Sequence, residues 1–215
     1  MTVHPTQLEL AATRERVVAE LHDALILEDL LDAQALWAPA KIAVAKEFLR
    51  RNVARAGWPQ SLHWDWAEKA AFLKTYAPGP LSPFRLFGMR VGLEWQGMLL
   101  GSSYGHKARI GAPGRDLVYV EFVETAPWNW RLDAIEQKKK YNGVGLQLFE
   151  LAVRWSDDLG YKGRVGLHSL PQSNGFYRGT CAMTDLGEDP KNPNQLNYFE
   201  LDEKGARSFL EEDEQ

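Results

Sequence analysis

The sequence has little cysteine, no long hydrophobic run and no N-terminal signal pattern, and each absence excludes a class of protein. The single cysteine, Cys181, rules out a disulfide framework or a cysteine-rich zinc site within the chain. No apolar run approaches the roughly 18 residues that span a bilayer, and the N-terminus lacks the basic and apolar regions of a signal peptide. We therefore expect a cytoplasmic protein with no membrane partner and no metal, in which Cys181 is buried and structural.

Excess positive charge is also lacking. The 215 residues include 25 Lys and Arg against 29 Asp and Glu, a net charge of −4. Residues 200–215 contain seven of the acids and two of the bases, so residues 1–199 carry a net charge of +1. Because nucleic-acid-binding proteins present broad basic surfaces, the near-neutral body argues against such a partner. The hydrophobic content of 45% argues against a disordered chain.

Helical spacing of apolar residues predicts a helical region over the first eighty residues. One helix is expected around residues 17–25, a second after Pro39 as a first-turn proline, and a third from the N-cap Asp65 to about Tyr76. The first two have apolar faces made of Val17, Leu21, Ala24 and Leu25, and of Ile42, Ala45, Phe48, Leu49 and Val53.

Strands are predicted after the Pro78–Gly79–Pro80 break. We expect a hairpin over residues 85–104 with its turn at Gln96–Gly97, a strand over 117–125, a helix from Val144, a strand over 163–169, a short helix within 171–179 and a strand over 196–201. The break is a candidate boundary, but we favour one domain over 1–215. It would contain a helical region (1–80), a core (83–201) and an acidic tail (202–215).

A glycine-rich turn precedes the predicted helix, in the stretch K-Y-N-G-V-G over residues 140–145. Such a turn exposes backbone N–H groups, and the helix dipole adds partial positive charge, so the combination binds phosphate. Glycine lets a ligand approach the backbone closely. The same pattern also fits a plain strand-to-helix turn, and neither a GxGxxG nor a GK[ST] signature is present.

Residues from about Pro83 to Leu201 resemble the GNAT (N-acetyltransferase) superfamily in the order and spacing of their motifs. A strand ends V-E-T-A-P at Pro127, the 140–145 loop opens a helix, and a strand over 165–169 leads to N-G-F-Y and then M-T-D-L-G. Three features depart from the family: Lys140 replaces Arg or Gln, residues 128–139 are inserted, and the N-terminal region is long. The resemblance implies an α/β fold with a mixed, bent β-sheet flanked by helices and an extended helical N-terminal region.

The resemblance also implies a function. The chain would be an N-acyltransferase that moves an acetyl or other short acyl group from acyl-CoA, in the simplest case acetyl-CoA, to the amine of a small molecule or peptide. The amine would attack the thioester directly. The implied pyrophosphate-binding residues are Lys140, Tyr141, Asn142, Gly143, Val144, Gly145 and Leu146, and the implied pantetheine-binding residues are Val123, Glu124 and Thr125.

Direct transfer needs a base for the amine and an acid for the leaving thiolate. Tyr177 matches the acid position of the family, although a packed tyrosine has the same pattern. Glu121 lies on the strand that usually supplies the base, and burial on an apolar strand would raise its pKa. An exposed or salt-bridged Glu121 is the alternative, and Glu124, His168 and His106 are further candidates for the base.

Several alternatives stay open at the level of sequence. Trp128 and Trp130 could contact the acceptor, form a lid, pack on the N-terminal helices or contact a second copy in a homodimer. Lys138–Lys140 could attract phosphates or form a solvated loop. The chain could instead be a non-catalytic GNAT-like module that binds acyl-CoA or a partner. A third reading is an enzyme that acylates aminoacyl-tRNA through a basic patch from Lys41 to Arg55.

Overall fold

A computed structural model describes residues 2–76 and 82–212, which contain nine β-strands and five α-helices. The chain divides into two compact units, which alternate along the sequence. The first unit comprises Met1–Ser82, Leu86–Met98 and Val123–Gly145, and the second comprises Pro83–Arg85, Leu99–Phe122 and Leu146–Gln215. The break at Pro78–Pro80 and the end of the acidic tail lie outside the described residues. The single domain over 1–215 stays a prediction.

The first unit combines helices with an antiparallel group of strands. Its strands run in the order β6-β1-β2-β3, and β1 pairs antiparallel with both β2 and β6. The elements that lie in it wholly or mostly are β1 (Val3–Leu10), β2 (Arg16–His22), α1 (Leu27–Arg50), α2 (Trp66–Tyr76), β3 (Phe84–Val91), the first half of β4 (Glu94–Ser102) and β6 (Tyr141–Asn142).

The second unit contains a parallel pair of strands. Its strands run in the order β5-β7-β9-β8, where β5 and β7 are parallel and the other two pairs are antiparallel. The expected mixed strand pairing is thereby confirmed. Its elements are most of β5 (Val118–Thr125), most of α3 (Val144–Asp158), β7 (Val165–Ser169), α4 (Asn174–Gly179), β8 (Thr184–Glu188), β9 (Asn197–Leu201) and α5 (Glu203–Glu212).

The predicted helix around residues 17–25 is wrong, because this segment is mainly strand β2. Ala19 and Leu21 are buried, whereas Val18 between them is 73% exposed. Burial therefore alternates with a period of two, the mark of a strand with one buried face. The fully helical N-terminal region is corrected to two strands followed by α1 and α2.

Helix α1 begins earlier than predicted, at Leu27 instead of near Pro39, which lies inside it. At its start, the Asp29 side chain accepts a hydrogen bond from the backbone N–H of Ile26. The longer helix presents a different face to the core, so Ile42 and Leu49 of the predicted stripe are exposed. The buried residues of the helix are Leu30, Ala33, Trp37, Lys41, Val44 and Phe48.

Two further predictions have different outcomes. Helix α2 begins at Trp66, and the carboxylate of Asp65 accepts hydrogen bonds from the backbone N–H groups of Ala67 and Glu68, so the predicted N-cap is confirmed. The turn between β3 and β4 lies at residues 92–93, where Gly92 has a φ of +57°, and not at Gln96–Gly97. A left-handed backbone favours glycine, which explains this location.

Several of the tryptophans fill the core. Trp37, Trp66 and Trp95 are fully buried, in line with the large area that an indole removes from water. Cys181 is also buried, as predicted. In the second unit, one core cluster consists of Ala108, Leu117, Tyr119 and Tyr198.

Candidate functional site

The glycine turn lies directly before α3, as the sequence predicts. Tyr141 and Asn142 form β6, and Gly143 then takes a φ of +89° before the helix begins at Val144. A glycine adopts this backbone conformation without the steric cost of a side chain. The first backbone N–H groups of α3 have no acceptor within the helix and lie at its positive end. The turn is therefore suited to an anion such as a pyrophosphate.

The two residues that precede Gly143, Tyr141 and Asn142, already form hydrogen bonds within the first unit. The backbone N–H of Tyr141 donates to Oδ1 of Asn129 at 3.1 Å, and the amide side chain of Asn142 donates to Oε1 of Glu9 at 2.9 Å. Gly143 and the first helical residues therefore have the more suitable amides for an anion. The predicted contribution of the Tyr141 amide competes with its bond to Asn129.

The lysines of the loop differ in their surroundings. Nζ of Lys140 donates to Oε2 of Glu94 at 2.8 Å. Partial burial lowers the pKa of Lys140, but the hydrogen bond to Glu94, the charge of Glu94 and the interaction with Tyr141 together raise it overall. Lys138 and Lys139 are exposed. The charge of Lys140 is thus partly neutralised, whereas the other two lysines project positive charge into solvent beside the turn.

Strands β5 and β7 pair over only three positions. The recorded partners run from Val118–Val165 to Val120–Leu167, yet β5 continues to Thr125. The end of β5 thus extends past its pairing with β7, as a strand that offers backbone groups to a ligand must. Residues 123–125, predicted to bind pantetheine, lie in this extension. The Thr125 carbonyl also accepts a hydrogen bond from the indole N–H of Trp130 at 3.0 Å.

Glu124 belongs to a buried ion pair in the first unit. Its carboxylate oxygens lie 2.9 and 3.0 Å from Nζ of Lys41, and the indole N–H of Trp66 donates to Oε2 at 2.8 Å. The side chains of Lys41 and Glu124 are only 6% and 1% exposed. Burial raises the pKa of Glu124 despite these partners. Lys41 is therefore not available to a basic surface patch from Lys41 to Arg55.

Glu121 belongs to a different group of polar side chains, in the second unit. Its Oε1 lies 3.7 Å from Nε2 of His106, whose ring stacks on Tyr119 with 3.9 Å between centroids. The Tyr119 hydroxyl lies 2.6 Å from Nδ1 of His168, and Nε2 of His168 lies 3.0 Å from Oδ2 of Asp189. We call these five residues the Tyr119 cluster. It brings together three of the predicted candidates for the base, namely Glu121, His106 and His168.

Tyr177 lies on α4 and is buried in the second unit. Its ring contacts those of Phe149, Phe176 and Phe199, with 5.2–6.4 Å between centroids. Burial raises the pKa of its hydroxyl well above the usual value, with a smaller contribution from Cys181. The hydroxyl is therefore protonated at neutral pH, the state that an acid needs.

The two tryptophans of the 128–139 insertion pack within the first unit. The indole N–H of Trp128 donates to Oε1 of Gln96 at 2.8 Å, and Trp130 packs against a core cluster that includes Phe48 and Trp58. The alternative in which Trp130 packs on the N-terminal helices is thus observed. Trp128 also lines a shallow pocket, whose other walls are Ala40, Ala43, Val44, Glu47, Pro127, Ile135 and Gln137.

Sequence reasoning missed three residues that the structure connects to the candidates. Lys41 lies in the basic patch of one alternative reading, whereas in the structure it neutralises Glu124. Tyr119 could have been found from strand alternation, because it shares a face of β5 with Glu121. Asp189 had no local signal, since only the pairing of β7, β8 and β9 brings it beside His168.

Comparisons with known proteins identify the fold. The structure is similar to the GNAT domain of Streptomyces lividans PAT, at 13% identity over 92% of this chain and 96% of that chain, with a TM-score of 0.51. It is also similar to Mycobacterium smegmatis RimJ in complex with CoA-disulfide, at 11% identity over 98% of this chain and 94% of that chain, with a TM-score of 0.50. No protein-family model matches the sequence, and no curated protein matches it. The chain has the GNAT fold, as the sequence motifs predict.

Two kinds of feature are absent from the residues that the structure describes. No helix within residues 2–76 and 82–212 is both long and apolar enough to cross a bilayer. The same ranges contain no group of three His, Cys, Asp or Glu side chains arranged to hold a metal ion.

Proposed function

We propose that this protein is an acyl-CoA-dependent N-acyltransferase that transfers an acetyl or other short acyl group to an amine. The observation that carries the proposal is the left-handed Gly143 turn at the start of α3, in a chain with the GNAT fold. Helix N-termini with a preceding glycine bind phosphate groups because their N–H groups and dipole face the anion. The pyrophosphate of coenzyme A is the corresponding ligand.

Coenzyme A would be held mainly by the backbone. The N–H groups of Gly143, Val144, Gly145 and Leu146 would bind the pyrophosphate, with Lys138 and Lys139 adding long-range attraction. The end of β5 at residues 123–125 would pair with the pantetheine arm. Asn142 and Lys140 would shape the turn through their bonds to Glu9 and Glu94.

Glu121 and Tyr177 would carry the chemistry. The Glu121 side chain is 28% exposed and its Oε1 lies 3.7 Å from Nε2 of His106, so a bound amine could approach the carboxylate. Glu124 is less suitable as the base because Lys41 and Trp66 hold its charge in place. Tyr177, protonated at neutral pH, would donate to the leaving thiolate and be reprotonated afterwards.

One observation favours the alternative of a non-catalytic module that binds acyl-CoA. Tyr177 is packed among three phenylalanine rings, which suits a structural tyrosine as well as an acid. A module of this kind would retain the Gly143 turn and would need neither Glu121 nor Tyr177.

The two functions separate in one experiment. Thiol release from acetyl-CoA would be followed over a panel of small-molecule and peptide amines, with acetyl-CoA binding measured by calorimetry. We expect Glu121→Gln and Tyr177→Phe each to lower kcat by about 10²–10⁴-fold without weakening acetyl-CoA binding. Glu15→Gln and Tyr104→Phe, both at exposed positions, are the matched controls. Binding without thiol release for any amine would favour the module, and absence of binding would exclude both functions.

A further inference from the structure

Three residues of the Tyr119 cluster form a continuous line of hydrogen bonds. The Tyr119 hydroxyl on β5 lies 2.6 Å from Nδ1 of His168 on β7, and Nε2 of His168 lies 3.0 Å from Oδ2 of Asp189, which follows β8. The side chains of His168 and Asp189 are 16% and 5% exposed. Each ring nitrogen of the histidine thus has one defined partner inside the second unit.

The state of Asp189 determines where the protons lie. Oδ2 accepts a 2.6 Å bond from the Arg109 guanidinium, and Oδ1 accepts one from the backbone N–H of Lys191. With the bond to His168, these hold the pKa of Asp189 well below its usual value. An ionised carboxylate only accepts hydrogen bonds, so Nε2 of neutral His168 carries the proton. Nδ1 then accepts the proton of the Tyr119 hydroxyl.

Arg109, which binds Asp189, is itself held in place by further contacts. The Arg109 guanidinium lies 3.7 Å from the ring centroid of Tyr198, and the backbone N–H groups of Arg109 and Ile110 donate to Glu200. Gly166 has no room for a side chain, because a Cβ there would collide with the Tyr198 hydroxyl. The arrangement therefore fixes the histidine ring from the Asp189 side.

The other end of the line leads towards solvent. The ring of Tyr119 stacks on His106, and His106 lies 3.7 Å from Glu121. Burial, followed by the charge of Glu121, raises the pKa of Tyr119 to about 12. Tyr119 is consequently a neutral donor at physiological pH, placed between the partly buried His168 and the partly exposed carboxylate of Glu121.

We propose that Tyr119, His168 and Asp189 form a proton relay that works beside Glu121. The relay rests on the proposed acyl transfer. The Tyr119 oxygen takes a proton from the acceptor nitrogen while its own proton passes to Nδ1 of His168, and Asp189 stabilises the resulting imidazolium. The pattern is that of a histidine oriented by a carboxylate, with a tyrosine in place of the nucleophile.

The proton balance explains why a second acceptor is useful. An ammonium acceptor loses two protons when it becomes an amide, since its nitrogen keeps one of three hydrogens. Glu121 takes one of them and the relay takes the other. The thiolate of coenzyme A gains a proton from Tyr177, which is reprotonated by one of the two, and the remaining proton passes to solvent. All groups return to their starting states.

Several charged or titratable groups would influence His168 from the elements around it. Three of these groups contact His168 directly, namely Tyr119 on β5, Asp189 after β8 and Tyr198 on β9. The others lie further out and contact those residues or their neighbours: His106 and Arg109 in the loop before β5, Glu121 on β5 and Glu200 on β9.

The first test removes one oxygen atom. Tyr119→Phe keeps the ring that stacks on His106 but ends the relay, so we expect kcat for acetyl transfer to fall about 10²-fold, with KM for acetyl-CoA unchanged. Tyr104→Phe is the control, because Tyr104 is 78% exposed. If the wild type releases thiol and Tyr119→Phe does so at the same rate, the relay is wrong while the acyltransferase proposal stands. If the wild type releases no thiol with any amine, both proposals fall.

The second test reads the histidine directly. The ¹⁵N spectrum of the uniformly labelled protein should show His168 as the Nε2–H tautomer, assigned with His168→Gln. Asp189→Asn should change that tautomer, lower kcat, and move the acid limb of the kcat/KM profile to lower pH, because the imidazolium loses its anion. A purely structural Asp189 would leave that limb in place. An Nδ1–H tautomer in the wild type would overturn the relay without reference to activity, even if Asp189→Asn does not fold.

Discussion

Glu121 and Glu124 lie three positions apart on the same strand, yet they have opposite environments. The Glu124 side chain is 1% exposed and is bound by Lys41 and Trp66. The Glu121 side chain is 28% exposed, and its recorded partner is His106 at 3.7 Å. Strand alternation accounts for the difference, because residues separated by an odd number of positions point to opposite faces.

The comparison separates a structural carboxylate, Glu124, from the proposed general base, Glu121. A general base must gain and lose a proton in every cycle. Protonation of Glu124 would leave Lys41 as an uncompensated buried cation, which is energetically costly. The Glu121 side chain is partly exposed, so loss of its charge should cost the fold little. The distinction predicts which substitutions on each side affect stability and which affect rate.

The largest effect on stability is expected when the cation beside Glu124 is removed. Lys41→Met leaves a buried carboxylate without its charge partner, and such changes cost about 3–5 kcal/mol. The loss would be measured as the change in the free energy of urea-induced unfolding. Lys46→Met, at an exposed position of the same helix, is the control and should change stability by less than about 0.5 kcal/mol.

The pH dependence of the Lys41→Met variant adds a second readout. Burial already raises the pKa of Glu124 above its ordinary value, and loss of Lys41 removes an opposing influence. The folded variant therefore binds a proton that the unfolded chain releases, so its stability should fall as the pH rises. The cost of the substitution should be smaller at pH 5 than at pH 8. A cost that is equal at both pH values would show that Glu124 does not titrate with folding.

Much of the fold could be predicted from sequence because local signals were strong there. The N-cap Asp65, the β5 segment and the apolar period of α3 each depend on nearby residues. The failures are of another kind. The Val17–Leu21 segment fits both a helical and an alternating pattern, and only pairing of β2 with β1 and β3 decides between them. Helix α1 begins earlier than the sequence predicts, because Pro39, a residue typical of a first helical turn, lies inside this helix.

The parts of the candidate site that depend on local backbone conformation could be predicted from the sequence. The parts that depend on side chains far apart in the sequence could not. The Gly143 turn is readable because glycine before a helix has a local physical reason. The partner of Glu124 lies 83 positions earlier in the chain, and Arg109 is 80 positions from Asp189. Nothing in a local pattern identifies such pairs. The same limit explains why the sequence predicts Glu121 as the base, with Glu124 as an alternative, without revealing that Lys41 neutralises Glu124.

An intermediate effect is expected when Glu124 loses a hydrogen bond but keeps Lys41. Trp66→Phe removes the indole N–H that donates to the carboxylate. Trp37→Phe is a matched control, because Trp37 is equally buried and its N–H donates to the neutral carbonyl of Trp95. Hydrogen bonds to charged groups contribute about 1.5–3 kcal/mol and neutral ones about 0.5–1.5. Trp66→Phe should therefore be the more destabilising by about 1 kcal/mol in thermal or urea unfolding, and the reverse order would mean that packing outweighs the charge of Glu124.

The smallest effect on stability is expected at Glu121, and it provides the most direct test of the comparison. Glu121→Gln keeps the size of a partly exposed side chain, so the free energy of unfolding should change by less than about 0.5 kcal/mol. Glu124→Gln makes the same chemical change three residues away but leaves Lys41 buried without an anion, and should cost about 3–5 kcal/mol. Both would be measured by urea unfolding at pH 7. Equal losses of unfolding free energy at the two positions would contradict a structural role for Glu124 and the proposed catalytic role for Glu121. They would show that the loss of a negative charge has the same effect in both environments.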